Sequence, residues 1–405
     1  MKRFTILPLD VPTLTDFIMN EKDFSKIMEL RNEVLALMGS WANVHTSAVS
    51  NATSPPNCRY LVVDDTGGLV VAALAERMGV LHHRSPSPIM NGTTSPNQAR
   101  IRIHHDHAPA TSNVLTLVHA NQQPNLSLLR YFDFDPNTPP SSTTPPPQVH
   151  PLHTHLTALS WLQLLHPMED STYNTPPAPL SPTTLSTMKP NHRSTYHRKR
   201  RRHARITTAI EITRQGGFNG LIVATPTDPI SICRHLIPLL AGGAQIVIYS
   251  PHLETLSPLV DAYSTARRAA WLQLDSTQRE QEIQNTMENA EFPVDPTLTL
   301  GFAIHAIRAR KWQVLPGRSH PVMTGRGGAD GHVAVATKVL PTEGTVTARG
   351  RMRRGKKRNV DATSEAYSED MDVDDGADLD AENGGQVDDV EHDEKRVKTE
   401  DGSVV

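Results

Sequence analysis

The sequence predicts an α/β fold in which a mostly parallel β-sheet is covered by helices on both faces. An apolar strand over 59–63, a glycine turn and a helix over 69–78 form the opening unit of a doubly wound sheet. The apolar segment 220–224 is typical of a strand that is buried on both faces. A helix with Asp228 as its cap and proline at its first position then leads to a strand over 244–249.

The remaining elements are assigned from the spacing of apolar residues and from capping residues. Further strands are predicted at 101–103, 113–118 and 332–339, and further helices at 13–39 (as a helical pair), 153–166 and 253–272. In the helical pair, Asp23 is expected to cap the second helix and Gly39 to end it. Strand and helix signals are mixed over 301–315.

Composition divides the chain into ordered and disordered segments. Only 37% of the residues are hydrophobic, 5% are aromatic and 32 are prolines, so the whole chain cannot offset its ordering entropy by burying apolar surface. The predicted organisation is a linker and helical pair (1–45), the first half of an α/β domain (46–135), a proline-rich and mostly disordered insertion (136–195), the second half of the domain (196–340) and a disordered tail that is first basic and then acidic (341–405).

Charge is distributed unevenly along the chain. The net charge of −3 includes 17 acidic and 3 basic residues within 361–405, which leaves 37 of the 40 basic and 26 of the 43 acidic residues for the rest. A basic body beside an acidic tail favours a polyanionic partner, above all nucleic acid. A soluble protein with a solvated tail explains the charge alone equally well.

Membrane and metal partners are not expected. No apolar run approaches the ~18 residues that a spanning helix needs. Cys58 and Cys233 lie far apart and give neither a disulfide framework nor a metal-ligand spacing. The histidine groups at 104–107 and 153–155 lack the spacing or the cysteine partners of a strong metal site, so solvated loop histidines are the favoured interpretation.

The first candidate nucleotide site is the turn after the first strand, which contains Asp64, Asp65, Gly67 and Gly68. A nucleotide-binding turn uses spaced glycines so that the backbone can approach the ligand at the start of a helix. A full fingerprint has three spaced glycines, whereas this turn has two adjacent ones. A purely structural turn is therefore the favoured interpretation.

The second candidate is the end of the strand over 220–224, because ligands of open α/β sheets bind beyond the carboxyl ends of the strands. Chemistry on a nucleobase nitrogen needs a group that orients the base and takes up its proton. Ala224 and Thr225 supply neither a base nor a charge. Asp228 is better explained as the cap of the helix that follows.

Basic segments give the third candidate site, since cationic side chains gain affinity on phosphates by releasing counterions. A cluster around Trp312 is expected to contact RNA, and its members are Arg308, Arg310, Lys311, Arg318 and His320. The Pro-Gly dipeptide before Arg318 favours a turn that holds this side chain outward. The runs at 349–358 and 395–398 are better explained as nuclear-import signals, and a further run at 197–203 lies at the end of the insertion.

Five segments carry a resemblance to a known family. They lie at 2–7, 26–31, 42–44, 60–79 and 313–321, and the last is the most specific. Together they resemble the non-catalytic subunit of the eukaryotic tRNA (adenine-58-N1)-methyltransferase, with the fungal members most similar. The resemblance covers about residues 1–340, and the insertion matches least clearly.

This resemblance implies a degenerate class I methyltransferase fold. It implies that a catalytic sister subunit binds S-adenosylmethionine, that the two subunits form a dimer of heterodimers that grips tRNA, and that the complex is nuclear. The sister keeps spaced glycines after its first strand and an Asp at the end of its fourth, whereas this chain has Gly67-Gly68 and Ala224. We therefore expect no catalytic residues and no cofactor in a degenerate pocket at Asp64, Asp65, Gly67, Gly68 and Ala224. Members of this family carry a further N-terminal domain that helps to bind tRNA. The resemblance implies that this chain lacks that domain, because it begins at about the domain's last strand and linker.

Three functions are weighed from the sequence. The first is a non-catalytic, RNA-binding and scaffolding subunit. The second is an active methyltransferase whose base comes from elsewhere, which the adjacent glycines and Ala224 disfavour. The third is a nucleic-acid-binding or translation-linked module with no role in methylation. Co-purification with a second, methyltransferase-like chain separates the first function from the third.

Overall fold

Nine strands and twelve α-helices are formed within the residues that a computed structural model describes, which are 6–47, 57–82, 110–136, 149–285, 291–307, 312–321 and 331–340. The strands are β1 (Arg59–Asp64), β2 (Val114–His119), β3 (Leu156–Ser160), β4 (Phe218–Ala224), β5 (Leu240–Ser250), β6 (Thr299–Ala306), β7 (Trp312–Leu315), β8 (Arg318–Pro321) and β9 (His332–Lys338). The helices are α1 (Val11–Glu21), α2 (Asn32–Trp41), α3 (Leu69–Arg77), α4 (Leu152–His155), α5 (Trp161–Leu165), α6 (Ser171–Asn174), α7 (Pro182–Thr187), α8 (Pro190–Arg214), α9 (Pro229–Leu236), α10 (Ser257–Ala262), α11 (Thr265–Gln273) and α12 (Ser276–Gln284).

Seven of the strands form one sheet in the order β3-β2-β1-β4-β5-β9-β6. The first five of these are parallel, and β9 runs antiparallel to both β5 and β6. This order, with one antiparallel strand beside the edge, is that of a class I methyltransferase domain, so the predicted fold class is confirmed. β7 and β8 pair only with each other, as a separate hairpin. The strand predicted at 101–103 lies outside the described residues.

Burial on both faces explains why β1 and β4 are uninterrupted apolar segments. Successive side chains of a strand point to opposite faces. Tyr60 and Val62 of β1 therefore enter one core layer, formed with α1, α2 and α3. Leu61 and Val63 enter the other layer, formed with α9 and α10. The central strands thus position the carboxyl ends of β1 and β4 side by side, with Asp64 opposite Ala224.

The helical pair is formed, but its second helix begins later than the sequence predicts. Asp23 caps a 3-10 turn over Phe24–Ile27 and not α2, because Met28 and Glu29 have positive φ angles of 54° and 58° that reverse the chain before Asn32. Gly39 lies inside α2 and does not end it. A Cβ at Gly39 would lie 2.7 Å from the Arg77 Cδ atom, so this glycine allows α2 and α3 to approach each other.

The described part of the predicted insertion, residues 149–195, contains regular secondary structure. The helix predicted over 153–166 is divided into α4, the strand β3 and α5. β3 joins the sheet because it pairs in parallel with β2, from Leu115 opposite Leu156 to His119 opposite Ser160. Leu159 is then buried in the core. The domain boundary predicted at residue 196 falls inside α8, and residues 137–148 are not among those described.

Three further segments refine the sequence prediction. The single helix predicted over 253–272 is two helices, α10 and α11. The segment with mixed signals contributes β6 and β7, and the strand predicted at 332–339 is β9. Among the described helices, none is both long and apolar enough to cross a bilayer.

Gly216 lies in the turn between α8 and β4, close to Leu239, which directly precedes β5. Replacing Gly216 with alanine tests how closely this turn packs against Leu239. Gly216 has a φ of +70°, and an added Cβ would lie 2.9 Å from the Leu239 carbonyl oxygen. Gly79 has a similar φ of +67° but nothing within 4 Å of an added Cβ. Both substitutions introduce backbone strain of about 1 kcal/mol.

We expect Gly216→Ala to lower the free energy of unfolding by about 1–3 kcal/mol more than Gly79→Ala, because the contact is with backbone that cannot rotate away. Denaturant unfolding of the two variants measures the difference. Equal losses would show that the turn after α8 is loosely packed.

Candidate functional site

Asp64, at the end of β1, uses its carboxylate inside the fold. One oxygen accepts hydrogen bonds from the Thr66 backbone N–H at 2.7 Å and from the Thr66 hydroxyl at 2.5 Å, and the other accepts from the Val71 N–H at 3.0 Å. Burial raises the pKa of the Asp64 carboxyl, while these hydrogen bonds oppose that rise. The carboxylate therefore holds the turn and the first turn of α3 and does not face a ligand.

The glycine turn is covered by the protein's own chain. Gly67 and Gly68 have φ angles of +75° and +92°, and Gly68 precedes α3 directly. A Cβ at Gly68 would lie 3.1 Å from Leu126 Cδ2, and one at Gly67 would lie 3.4 Å from Leu128 Cγ. The Leu128 N–H also donates a hydrogen bond of 3.0 Å to the Gly67 carbonyl. Leucine side chains thus occupy the space from which a phosphate or carboxylate would approach these glycines.

The ends of β1 and β4 are joined by hydrogen bonds. The Asp65 N–H donates to the Ala224 carbonyl at 2.9 Å, and the Thr225 hydroxyl donates to the Asp65 carboxylate. Asp228 caps α9 by accepting from the Ser231 N–H at 2.9 Å, so its predicted capping role is confirmed. Ala224 is fully buried. The carboxylates of Asp64 and Asp65 at this edge both accept hydrogen bonds from groups within the fold.

His119 ends β2 at the same edge, and the sequence analysis did not select it. Dinucleotide sites of this fold place a carboxylate near this position to bind ribose hydroxyls. His119 is buried instead, and its burial lowers the pKa of its imidazole. Its Nδ1 atom has no hydrogen-bond partner in the structure. The sequence places His119 directly after the predicted strand 113–118. This position is the one signal that could have identified His119 from the sequence.

The histidines of 153–155 have structural contacts. The His153 ring packs on Phe134 with 5.0 Å between ring centroids, and His155 Nδ1 lies 3.0 Å from the Asn113 carbonyl oxygen. The described residues contain no group of three or more His, Cys, Asp or Glu side chains that could hold a metal ion. The group at 104–107 lies outside those residues.

The β7–β8 hairpin carries two of the five residues of the predicted RNA cluster. Its two-residue turn is Pro316-Gly317, with Gly317 at a φ of +82°, and Arg318 follows it with an exposed side chain as predicted. His320 is half-buried. Arg308, Arg310 and Lys311 lie outside the described residues.

The hairpin has two chemically different faces. Gln313 pairs with His320 and Leu315 pairs with Arg318, and directly opposite residues share a face. Trp312 and Val314, one position out of step with these pairs, lie on the other face. Trp312 is 61% exposed and Val314 is 75% exposed. One face therefore presents basic groups and the other presents apolar surface.

Comparison with known proteins identifies the family. The Gcd10p family model matches residues 1–189. The tRNA (adenine(58)-N(1))-methyltransferase non-catalytic subunit of Aspergillus oryzae is 41% identical over 94% of this chain and 71% of its own length. This chain belongs to that family of non-catalytic subunits. The Aspergillus fumigatus subunit is also 41% identical, over 90% of this chain and 68% of its own length, and the Schizosaccharomyces pombe subunit is 28% identical over 88% and 66%.

Membership of the non-catalytic subunit family confirms the resemblance and agrees with the geometry at the ends of β1 and β4. The carboxylate of Asp64 is committed to the turn, the glycines are covered, and Ala224 stands beside them. The chain is therefore not the catalytic subunit. A tRNA (m1A58) methyltransferase from Aquifex aeolicus aligns over 82% of this chain and 77% of its own, at 10% identity and a TM-score of 0.37, which is too distant to inform the site.

We expect the isolated chain to show no measurable affinity for S-adenosylmethionine, because Leu126 and Leu128 occupy the approach to Gly67 and Gly68. Isothermal titration calorimetry, with a cofactor-binding methyltransferase as the positive control, measures this directly. Micromolar binding by the isolated chain would contradict the expected closed turn.

Proposed function

We propose that this chain is the tRNA-binding, non-catalytic subunit of a nuclear tRNA (adenine-58-N1)-methyltransferase complex. A catalytic sister subunit binds S-adenosylmethionine and transfers its methyl group to N1 of the adenine, and two such pairs form a dimer of heterodimers. The observation that carries this proposal is the glycine turn covered by Leu126 and Leu128 in a chain of this family. The chain thereby supplies surface and not chemistry.

The geometry supports the proposal that methylation depends on a sister subunit. Transfer to a base nitrogen needs a bound methyl donor and a group that takes up the proton. Asp64 accepts three hydrogen bonds within the fold, and the Asp65 carboxylate accepts from Thr225. Both carboxylates thus take part in contacts within the fold. Both requirements then fall to the sister.

The apolar face of the β7–β8 hairpin supports the proposed contact with the sister. An isolated two-stranded hairpin is marginally stable in water, and stability requires that its apolar face be covered. Permanent subunit interfaces bury more than about 2,000 Å² and are rich in apolar residues. Trp312 and Val314 supply such surface, and Leu300 on the edge strand β6 adds a side chain that is 50% exposed.

The opposite face of the hairpin supports the proposed contact with tRNA. Arg318 is exposed beside a rigid two-residue turn, so its guanidinium can reach a phosphate without rearrangement of the backbone. Phosphate contacts position an RNA without reading its sequence, as an enzyme that acts on many tRNAs requires. The basic runs at 349–358 and 395–398 support a nuclear location.

Coexpression with the catalytic sister subunit of the same organism, followed by a tRNA methylation assay, tests the proposed function. We expect methylation at adenine 58 only when both chains are present. A complex that binds nucleic acid but neither recruits a sister nor supports methylation would favour a binding module with no role in methylation.

Trp312 and Val314 are expected to carry part of the sister interface. Replacing both with alanine should weaken assembly about tenfold or more, because buried aromatic anchors dominate interface energies. Size-exclusion chromatography with light scattering measures assembly as a function of concentration. The matched control replaces Leu272 and Ile283, which are 58% and 55% exposed on other elements. The proposed interface is wrong if both double variants assemble equally.

Arg318 is expected to contact a tRNA phosphate. Arg318→Ala should weaken tRNA binding by the assembled complex and reduce the slope of log affinity against log salt by about one unit or slightly less. Arg318→Lys should retain most of the slope because it keeps the charge. An unchanged slope in the alanine variant, or its separation from the sister, would assign Arg318 a structural role.

A further inference from the structure

The last six residues of α8 contain its buried positions and anchor the helix in the fold. Of its 25 residues, Ala209, Ile210 and Thr213 are buried, and all three lie in the last six. Arg214 fixes this end by donating to the carbonyl oxygens of Leu164 and Leu165, at distances of 2.7–3.0 Å. The preceding part of the helix extends across the surface for about 28 Å, at 1.5 Å per residue.

The exposed part of α8 is strongly basic. Its exposed cationic side chains are Arg193, Arg198, Lys199, Arg200, Arg201, Arg202 and Arg205. Glu211 is the first acidic residue of the helix. None of the seven cationic side chains forms an ion pair or a hydrogen bond with the part of the chain that the structure describes. These positive charges are thus available to bind an external partner.

Two contacts fix which face of α8 points outward. The Tyr196 hydroxyl accepts a hydrogen bond of 3.2 Å from the Leu180 N–H, and His203 Nε2 lies 3.1 Å from the Tyr173 carbonyl oxygen. Tyr196 and His203 are seven residues apart, so both lie on one face, turned toward the body. The face opposite them carries Arg198, Arg201, Arg202 and Arg205, at spacings of three and four residues.

We propose that this outward face of α8 is a second RNA-binding surface. It binds the phosphate backbone of the tRNA at a site distinct from the β7–β8 hairpin. This inference rests on the proposed function and adds a site to it. Like charges four residues apart destabilise a helix, and an RNA backbone neutralises them. Six of the seven cations are arginines, whose planar fork binds phosphate oxygens in pairs.

The length of the surface favours an extended polyanion over a single anion. Arg198 and Arg205 are seven residues apart, which corresponds to about 10 Å along the helix axis. A continuous backbone can contact arginines on successive turns, whereas one phosphate group can contact only neighbouring side chains. The contacts are with phosphates, so they are independent of sequence.

A triple variant, Arg198→Ala, Arg201→Ala and Arg205→Ala, tests the proposal in the full-length chain assembled with its catalytic sister. tRNA binding is measured by fluorescence anisotropy across a salt series. The matched control, Lys22→Ala, Lys26→Ala and Arg130→Ala, removes the same charge from exposed positions outside α8. Circular dichroism confirms that the helix is retained, since alanine is the best helix former.

We expect the α8 variant to bind tRNA at least about tenfold more weakly and to lose about two units of salt slope, at roughly 0.7–0.9 per lost phosphate contact. The control should remain within about twofold of the wild type. An unchanged slope in the α8 variant, or an equal loss in both variants, overturns the proposal. If the wild-type complex binds and methylates tRNA and the α8 variant does so equally well, this inference alone is overturned. If the wild-type complex does neither, the proposed function is overturned.

Discussion

The buried carboxylate of Asp64 is the interaction on which the arrangement of this edge of the sheet depends. It joins the end of β1 to Thr66 and to the first turn of α3 through three hydrogen bonds. Because both oxygens are used, the turn is held in one conformation, and Gly67 and Gly68 are presented to Leu126 and Leu128. A position where related folds bind a nucleotide thereby becomes part of the hydrophobic core. Removing the carboxylate would leave buried N–H groups without an acceptor.

A domain without a ligand site can still organise a complex through its surfaces. The hairpin of β7 and β8 separates an apolar face, with Trp312 and Val314, from a face that carries Arg318. α8 adds a basic surface, and Arg214 anchors the end of this helix. In the proposed complex these surfaces hold the sister subunit and the tRNA, while the sheet serves as their scaffold.

Strands that are buried on both faces were predictable from the sequence, whereas contacts between distant segments were not. β1 and β4 are continuous apolar runs, and their burial in two core layers explains that pattern. β3 was predicted as a helix, since a short apolar run fits either structure and its pairing with β2 is set by residues about forty positions away. The missing carboxylate at Ala224 was visible in the sequence. The leucines that cover Gly67 and Gly68 were not, because only the fold brings the segment around 127 to that turn.

The central claim is that the pocket of this chain stays closed when the complex is assembled. The most direct measurement is the number of S-adenosylmethionine molecules bound per pair of subunits, by equilibrium dialysis of the purified complex with the catalytic sister. The covered turn at Gly67 and Gly68 predicts one molecule per pair, held by the sister. Two molecules per pair would contradict the account, since the second could be held only by this chain.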